Sequence, residues 1–408
     1  MKRLLFVFEL FILSVSAFAA SKFERSNRIF ELGVDVDVAL SNNYFAVTDF
    51  LKKEIEIDLK EISTQIDENR GLELDASVLL NAYTSLNLKN GVSVSLSNGV
   101  EAYGMGGISK DLFNFLGDGN SLNENIKVDG NLEADIFYYI TNDIAFDYKG
   151  FRIGLGPSLY LPIMHMETSD FSVTFNNGDD GSVYTRVGSE LRVNSCVNLD
   201  KYTEDTFTDA KDYYTSFMTG WGFDLNITVE HQLLNTLAGR LYMRLPIVPG
   251  QLDNYCYSTY EMTYTADDLF DLMNSGGASQ SEFGDFTYMH KNMKICRPFR
   301  TGGELAWRPF GKCMRFGALL GFGVKYPWTY SARGYLEYNL LWEASLFNIL
   351  GVKLSSGYLK ELYVHQAGFM INARVIEIDF GVSAQGGSFE KSLMGSGAGL
   401  FVGVKCGW

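Results

Sequence analysis

Between Leu336 and Leu346 the chain sets Leu336, Tyr338, Leu340, Trp342, Ala344 and Leu346 on one parity and Glu337, Asn339, Glu343 and Ser345 on the other. A period of two sends apolar and polar side chains to opposite faces of an extended strand. The same alternation recurs. Leu32 to Leu40 face away from Asp35 and Asp37, Leu72 to Ala82 from Glu73 and Asp75, and Phe223 to Val229 from Asp224 and Asn226. Leu241, Met243 and Leu245 oppose Arg240, Tyr242 and Arg244. Several rows last nine residues or more, the length a bilayer-crossing strand needs, whereas globular strands average about five or six. In hydrocarbon an open sheet edge strands N–H and C=O groups without partners, so such a sheet must close. The expected fold is all-β, a closed antiparallel transmembrane β-barrel of about fourteen strands, with twelve to sixteen admitted.

The N-terminus sets the compartment. Lys2 and Arg3 precede the apolar run Leu4–Leu13, broken only by Glu9, and Ala17-Phe-Ala19 supplies small residues where a signal peptidase cuts. Residues 1–19 are read as a signal peptide and 20–408 as one barrel domain. No later window is apolar and long enough for a membrane helix. With 34 basic against 49 acidic residues, the chain is a poor match for nucleic acid, which demands a basic face. Gly is abundant at 41 residues and Pro scarce at 7, which suits a barrel whose strands bend and crowd. Five cysteines without any Cys-x-x-Cys spacing leave two readings open, a disulfide among Cys196, Cys256 and Cys296 or free thiols throughout.

Two segments break the alternation. Phe50, Leu51, Ile55, Leu59, Ile62 and Ile66 recur at helical spacing, so residues 42–68 are expected to form an N-terminal amphipathic plug or hatch. Those first five residues are the candidates for lining a hydrophobic ligand site inside the barrel; a plug or membrane-surface helix without a ligand is the other reading. A short helix is expected from Lys110 to Leu116, capped by Ser109 and stopped by Gly117. Polar tracts at 117–125, 167–182, 196–215 and 250–284 read as long loops on one side, and stretches such as 325–331 and 348–351 as short turns.

Charges on the polar parity point inward, because an arginine facing lipid near mid-membrane costs about 2–4 kcal/mol. Arg240, Arg244, Glu304, Arg308, Glu337 and Glu343 are therefore the expected lumen residues, either paired with one another or lining a solute route. Their mixed signs argue against a strongly ion-selective pore. No catalytic residue, metal ligand set or cofactor motif stands out. No Gly-x-Ser-x-Gly elbow or His-x-x-x-His occurs, and His165 and His290, beside loop-like tracts, are expected to face water.

The final strand, with Leu400, Val402, Val404, Cys406 and Trp408 on one parity, resembles the signal that outer-membrane barrels present to the barrel assembly machinery. Four further stretches are Ala39–Phe45, Val47–Ile66, Tyr103-Gly-Met-Gly-Gly-Ile-Ser-Lys-Asp-Leu112 with its Gly117–Asn120 exit, and Gly156–Pro162. They resemble a family of spirochaete outer-membrane barrels, some assigned a FadL-like fold, that of long-chain fatty acid transporters. The resemblance covers part of the N-terminal half and departs from the better-known transporters in lacking an Asn-Pro-Ala segment near the N-terminus. It implies a fourteen-strand barrel with an N-terminal hatch that imports long-chain fatty acids or other small hydrophobic molecules. The expected setting is the cell outer membrane, as a monomer surrounded by lipid. The alternatives are a closed barrel serving adhesion or display through its long loops, and a general small-solute porin.

Overall fold

The computed structural model describes residues 28–45, 60, 63–64, 66, 71–88, 91–119, 124–179, 182–198, 219–266, 278–311, 313–347, 349–359 and 361–408. The signal-peptide expectation lies outside them.

In chain order the first strands are β1 (Phe30–Asn42), β2 (Leu72–Asn87), β3 (Ser93–Ile108), β4 (Asn125–Tyr148), β5 (Phe151–Asn177), β6 (Val183–Ser195), β7 (Gly222–Leu234), β8 (Leu237–Val248) and β9 (Gly250–Ala266). There follow β10 (Ala278–Phe283), β11 (Thr287–Ile295), β12 (Phe299–Trp307), β13 (Met314–Lys325), β14 (Arg333–Leu346), β15 (Leu350–Leu359), β16 (Leu362–Asn372), β17 (Ile376–Gly386) and β18 (Gly397–Gly407). All lie in one eighteen-stranded sheet. Antiparallel pairing runs β1–β2–β3–β4–β5–β7–β8–β12 and then in order from β13 to β18. β18 pairs back to β1 from Glu31↔Gly407 to Ser41↔Gly397, which closes the barrel and leaves neither terminal strand with a bare edge.

Four strands stand outside this circuit. β6 pairs with the far half of β5, β9 with β6, and β10 and β11 both with β9. The sheet therefore holds more strands than the expected number. Tracts read as polar loops, 167–182 and 250–284, carry the far half of β5, all of β9 and β10. Their Thr, Tyr and Val content supports strand pairing in water as well as in lipid. The base of this extension packs into the barrel mouth, where Leu252, Ile295 and Cys196 meet Phe137, Tyr139 and Tyr160 in a small apolar core.

Alternation decides which side faces out. Along β14 Leu336 and Leu340 are 63% and 61% exposed, while Glu337 between them is 1% exposed. A protein that turns leucines outward and glutamates inward is built for an apolar solvent. The row from Leu336 to Leu346, at ~3.3 Å per residue and a tilt of about 40°, rises roughly 25 Å, the height of an outer-membrane apolar band. Among the described residues no helix is long and apolar enough to cross a membrane.

One end of the barrel has short turns, at Lys149–Gly150, Asn235–Thr236 and Ala373–Val375 among others. The other end carries the longer connections, with helix α1 (Asp111–Asp118) between β3 and β4 and α2 (Phe389–Leu393) between β17 and β18. The stretches 325–331 and 349–351 lie at opposite ends. α1 begins one residue later than expected and stops at Gly119, whose φ of 80° suits glycine, rather than at Gly117. Ser109 does not cap it; its hydroxyl accepts the amide of Asp129 at 3.1 Å. Of the expected plug, residues 42–45, Lys60, Ser63, Thr64 and Ile66 are described; Asn42 still belongs to β1, and Tyr44 and Phe45 pack against Ile66 and Phe113. Ile66 packs on Phe113 of α1 and Lys60 pairs with Asp118, so this part sits on α1 at the long-connection end. Phe50, Leu51, Ile55, Leu59 and Ile62 lie outside the described residues.

Candidate functional site: the barrel interior

Strands that are not neighbours in a closed circuit can touch only through its inside. Glu101 on β3 accepts from Arg244 of β8 at 3.3 Å and from Arg297, in the connection into β12, at 2.7 Å. Arg297 also donates to Asp224 of β7 at 3.2 Å, and its guanidinium lies 4.4 Å from the Tyr139 ring centroid. Arg297 is 1% and Asp224 0% exposed. This cluster forms a floor across the lumen. Charges so far from water persist only because each meets opposite charge and hydrogen bonds. Of this cluster only Arg244 is among the expected lumen residues; Glu101, Asp224 and Arg297 are not. Glu101 continues the parity of Ser93, Ser95 and Ser97, a legible signal, whereas Arg297 sits between Cys296 and Pro298 outside any alternating row.

The expected lumen residues lie largely on the buried parity. Arg240 of β8 and Glu304 of β12 face each other in register and bond directly. Arg315 on β13 extends the row, at 3.5 Å from both Glu304 and Glu343 of β14. Arg300 reaches Glu337 at 2.6 Å across β13. Gly321 stands opposite Glu337 there, and a Cβ on it would lie 2.7 Å from the Tyr242 hydroxyl, so only glycine leaves the passage. Arg308 falls one residue beyond β12, in the turn, where its amide donates to the Thr236 carbonyl at 2.7 Å. A second network nearer the chain ends joins Lys353, Lys405, Asp379 and Glu377. Pairing among neighbouring strands thus fills the wall with matched charge.

Above the floor, toward the long connections, lies a cavity of about 210 Å³. Phe137, Met105, Tyr335, Leu359, Leu362 and Val364 give it apolar surface, and acidic and basic side chains share its lining. Residues after β13 cross its mouth. The Tyr326 hydroxyl donates to Asp135 of β4 at 2.9 Å, and Arg333 approaches Glu133 at 3.7 Å. His165 is not at the water surface as expected. It is 7% exposed, with Nδ1 2.6 Å from Asp135 and its ring edge-on to Tyr326. His290 is exposed.

One stretch of wall lacks ladder bonds. β8 and β12 pair from Arg244↔Arg300 to Leu237↔Trp307 and no further, and Pro246 and Pro298 flank the break. Side chains satisfy the freed backbone. The Tyr160 hydroxyl lies 3.0 Å from the Val248 carbonyl and 3.1 Å from that of Ile295, and accepts the Gly250 amide at 2.9 Å. Trp328 Nε1 donates to the Pro246 carbonyl at 3.1 Å. Gly222 opposite Tyr160 makes this close approach possible; a Cβ there would sit 2.3 Å from the ring.

On the final strand Leu400, Val402 and Val404 face outward, Cys406 shares their parity, and the exposed Trp408 ring packs tilted against Phe30 of β1 with centroids 5.0 Å apart. All five cysteines are free thiols, with Cys196, Cys256 and Cys296 buried and Cys313 exposed. Burial pushes the Cys196 thiol, in the extension, up to about 11. Among the described residues no group of three His, Cys, Asp or Glu side chains is placed to hold a metal ion.

No protein-family model matches the chain, and no curated protein does. Solved structures overlap it in outline. The crystal structure of the Pseudomonas putida toluene transporter TodX gives a TM-score of 0.48 at 9% identity, covering 93% of this chain and 89% of that one. A Pseudomonas aeruginosa FadL homologue gives 0.48 at 10% identity, covering 97% and 95%. The translocator domain of the autotransporter NalP from Neisseria meningitidis gives 0.31 at 6% identity, covering 95% and 91%. Overlaps this partial carry no functional argument, which rests on the chain's own residues.

Proposed function

We propose that this chain is an outer-membrane transport barrel that admits small hydrophobic or amphipathic solutes, long-chain fatty acids among them, into the cavity above the ionic floor. The observation that carries the reading is that cavity. A chamber at the long-connection end whose walls combine apolar and charged side chains suits capture of a molecule with a greasy body and a polar head. An open water-filled porin is disfavoured by the buried Glu101–Arg297–Asp224 cluster, which stands across the lumen. In barrels of this class the longer connections face outward from the cell, which puts the cavity mouth on the receiving side. The lumen role of Arg240, Arg244, Glu304, Glu337 and Glu343 is to hold the walls together rather than to touch solute, Arg244 excepted, since it also lines the cavity. The test is uptake. Protein refolded into vesicles should accelerate entry of a fluorescent fatty acid over protein-free vesicles, and Val364→Trp, which fills the cavity, should abolish the acceleration. Equal uptake by both proteins would refute the assignment.

A second reading has its own observation. β6, β9, β10 and β11 build a sheet beyond the barrel, rich in Tyr, Thr and Ser, which favours surface display or adhesion. Strong binding to a host protein with no solute uptake would select it.

A further inference from the structure

The charges that line the cavity are sorted by wall. Its acidic side chains, Asp37, Asp75, Glu133 and Asp135, come from β1, β2 and β4, which with β3 form one continuous arc. Its basic side chains, Arg244, Arg300 and Lys325, come from β8, β12 and β13, a second continuous arc. β5 and β7 separate the arcs on one side and β14 to β18 on the other, so the two signs face each other across the lumen. Several of these charges have counter-charges, but those lie outside the cavity lining. Glu101 holds Arg244, Glu337 holds Arg300, Glu361 holds Lys325 and Arg333 holds Glu133, while Asp135 shares a hydrogen bond with the His165 ring. Arg300 also keeps Nε buried with no hydrogen-bond partner, a donor that a native interior rarely leaves idle.

Opposed walls in a low-dielectric chamber set up a field across it. A singly charged solute gains from one wall and is repelled by the other. A dipolar solute gains from both. We infer that the cavity is a binding site for zwitterionic amphiphiles, molecules with an ammonium group, an anionic group and a short apolar body. The ammonium group faces the β1–β4 arc, where the rings of Tyr103 and Tyr326 join the carboxylates in the lining. The anionic group faces Arg300 and Lys325, and the body lies on Phe137, Leu362 and Val364. This assignment rests on the transport reading above and adds the chemistry of the head group.

The test uses full-length protein in phosphatidylglycerol nanodiscs, whose lipid carries no zwitterionic head to compete. Four probes built on a six-carbon chain are compared by calorimetry: hexyl sulfobetaine, hexanoate, hexyltrimethylammonium and hexanol, with empty nanodiscs as the blank. The sulfobetaine should bind about tenfold more tightly than any of the other three. Lys325→Gln should weaken sulfobetaine and hexanoate alike and leave the cation unaffected, and Asp75→Asn should weaken sulfobetaine and the cation but not hexanoate. Both positions are only half-buried, and heat-dependent gel mobility confirms that each variant is folded. Equal binding of all four probes would overturn the zwitterion site while leaving the cavity as a hydrophobic one. Binding of none would overturn the transport reading with it.

Discussion

Arg297 shows how much one side chain can decide in a membrane barrel. It pairs with two buried carboxylates, Glu101 and Asp224. Truncation in Arg297→Ala leaves Asp224 without its cation and Glu101 with Arg244 alone, and loss of one partner in comparable buried pairs destabilises by about 3–5 kcal/mol. The expected outcome is a lower denaturant midpoint in vesicles together with small-ion leakage in planar bilayers, since the floor is gone. A stable and still non-conducting variant would mean that the lumen is closed elsewhere. Thiols give a second reading at this scale. Cys313 is exposed, whereas Cys196, Cys256 and Cys296 are buried, the Cys196 thiol with its acidity weakened by burial. Because only the thiolate reacts, a maleimide at pH 7 should label Cys313 within minutes and those three only after unfolding, as counted by mass spectrometry. Rapid labelling of Cys196 would contradict the packing at the base of the extension.

Single elements are where tertiary context overruled local pattern. Residues 250–284 carry charge, Tyr and Ser and read as a loop; β9 forms there because β6 on one side and β10 and β11 on the other take up its backbone groups. Polar strands in water lack the apolar alternation that marks bilayer strands, so pairing rather than composition defines them. The bilayer strands themselves were legible, since lipid outside and paired charge inside enforce the period of two. The floor was legible only in part. Glu101 and Asp224 stand on readable rows, while Arg297 is placed by a connection whose path depends on the wall break between β8 and β12. That break gives the element-scale prediction. Tyr160→Phe removes the hydroxyl that serves Val248, Ile295 and Gly250, and buried backbone groups without partners cost about 1–3 kcal/mol each. The variant should unfold at lower denaturant by roughly that amount, with hydrogen exchange quickened at Gly250. Unchanged exchange would show that water or another group serves that backbone.

The whole molecule depends on a division of solvent, acyl chains outside and an enclosed polar interior. β18 closing onto β1 leaves the aromatic end residue Trp408 exposed against Phe30, and amphipathic aromatic rings settle at membrane–water boundaries. Trp408→Ala should therefore slow insertion into vesicles, read as delayed appearance of the heat-modifiable band, while leaving the final fold intact. Spin labels placed singly at Leu336, Tyr338, Asn339, Leu340 and Leu341 in vesicles test the division itself. Oxygen, which concentrates in lipid, should broaden the labels at 336, 338 and 340 and spare those at 339 and 341. If the five labels respond alike, or respond to a water-soluble nickel chelate instead, the barrel does not stand in a bilayer as described.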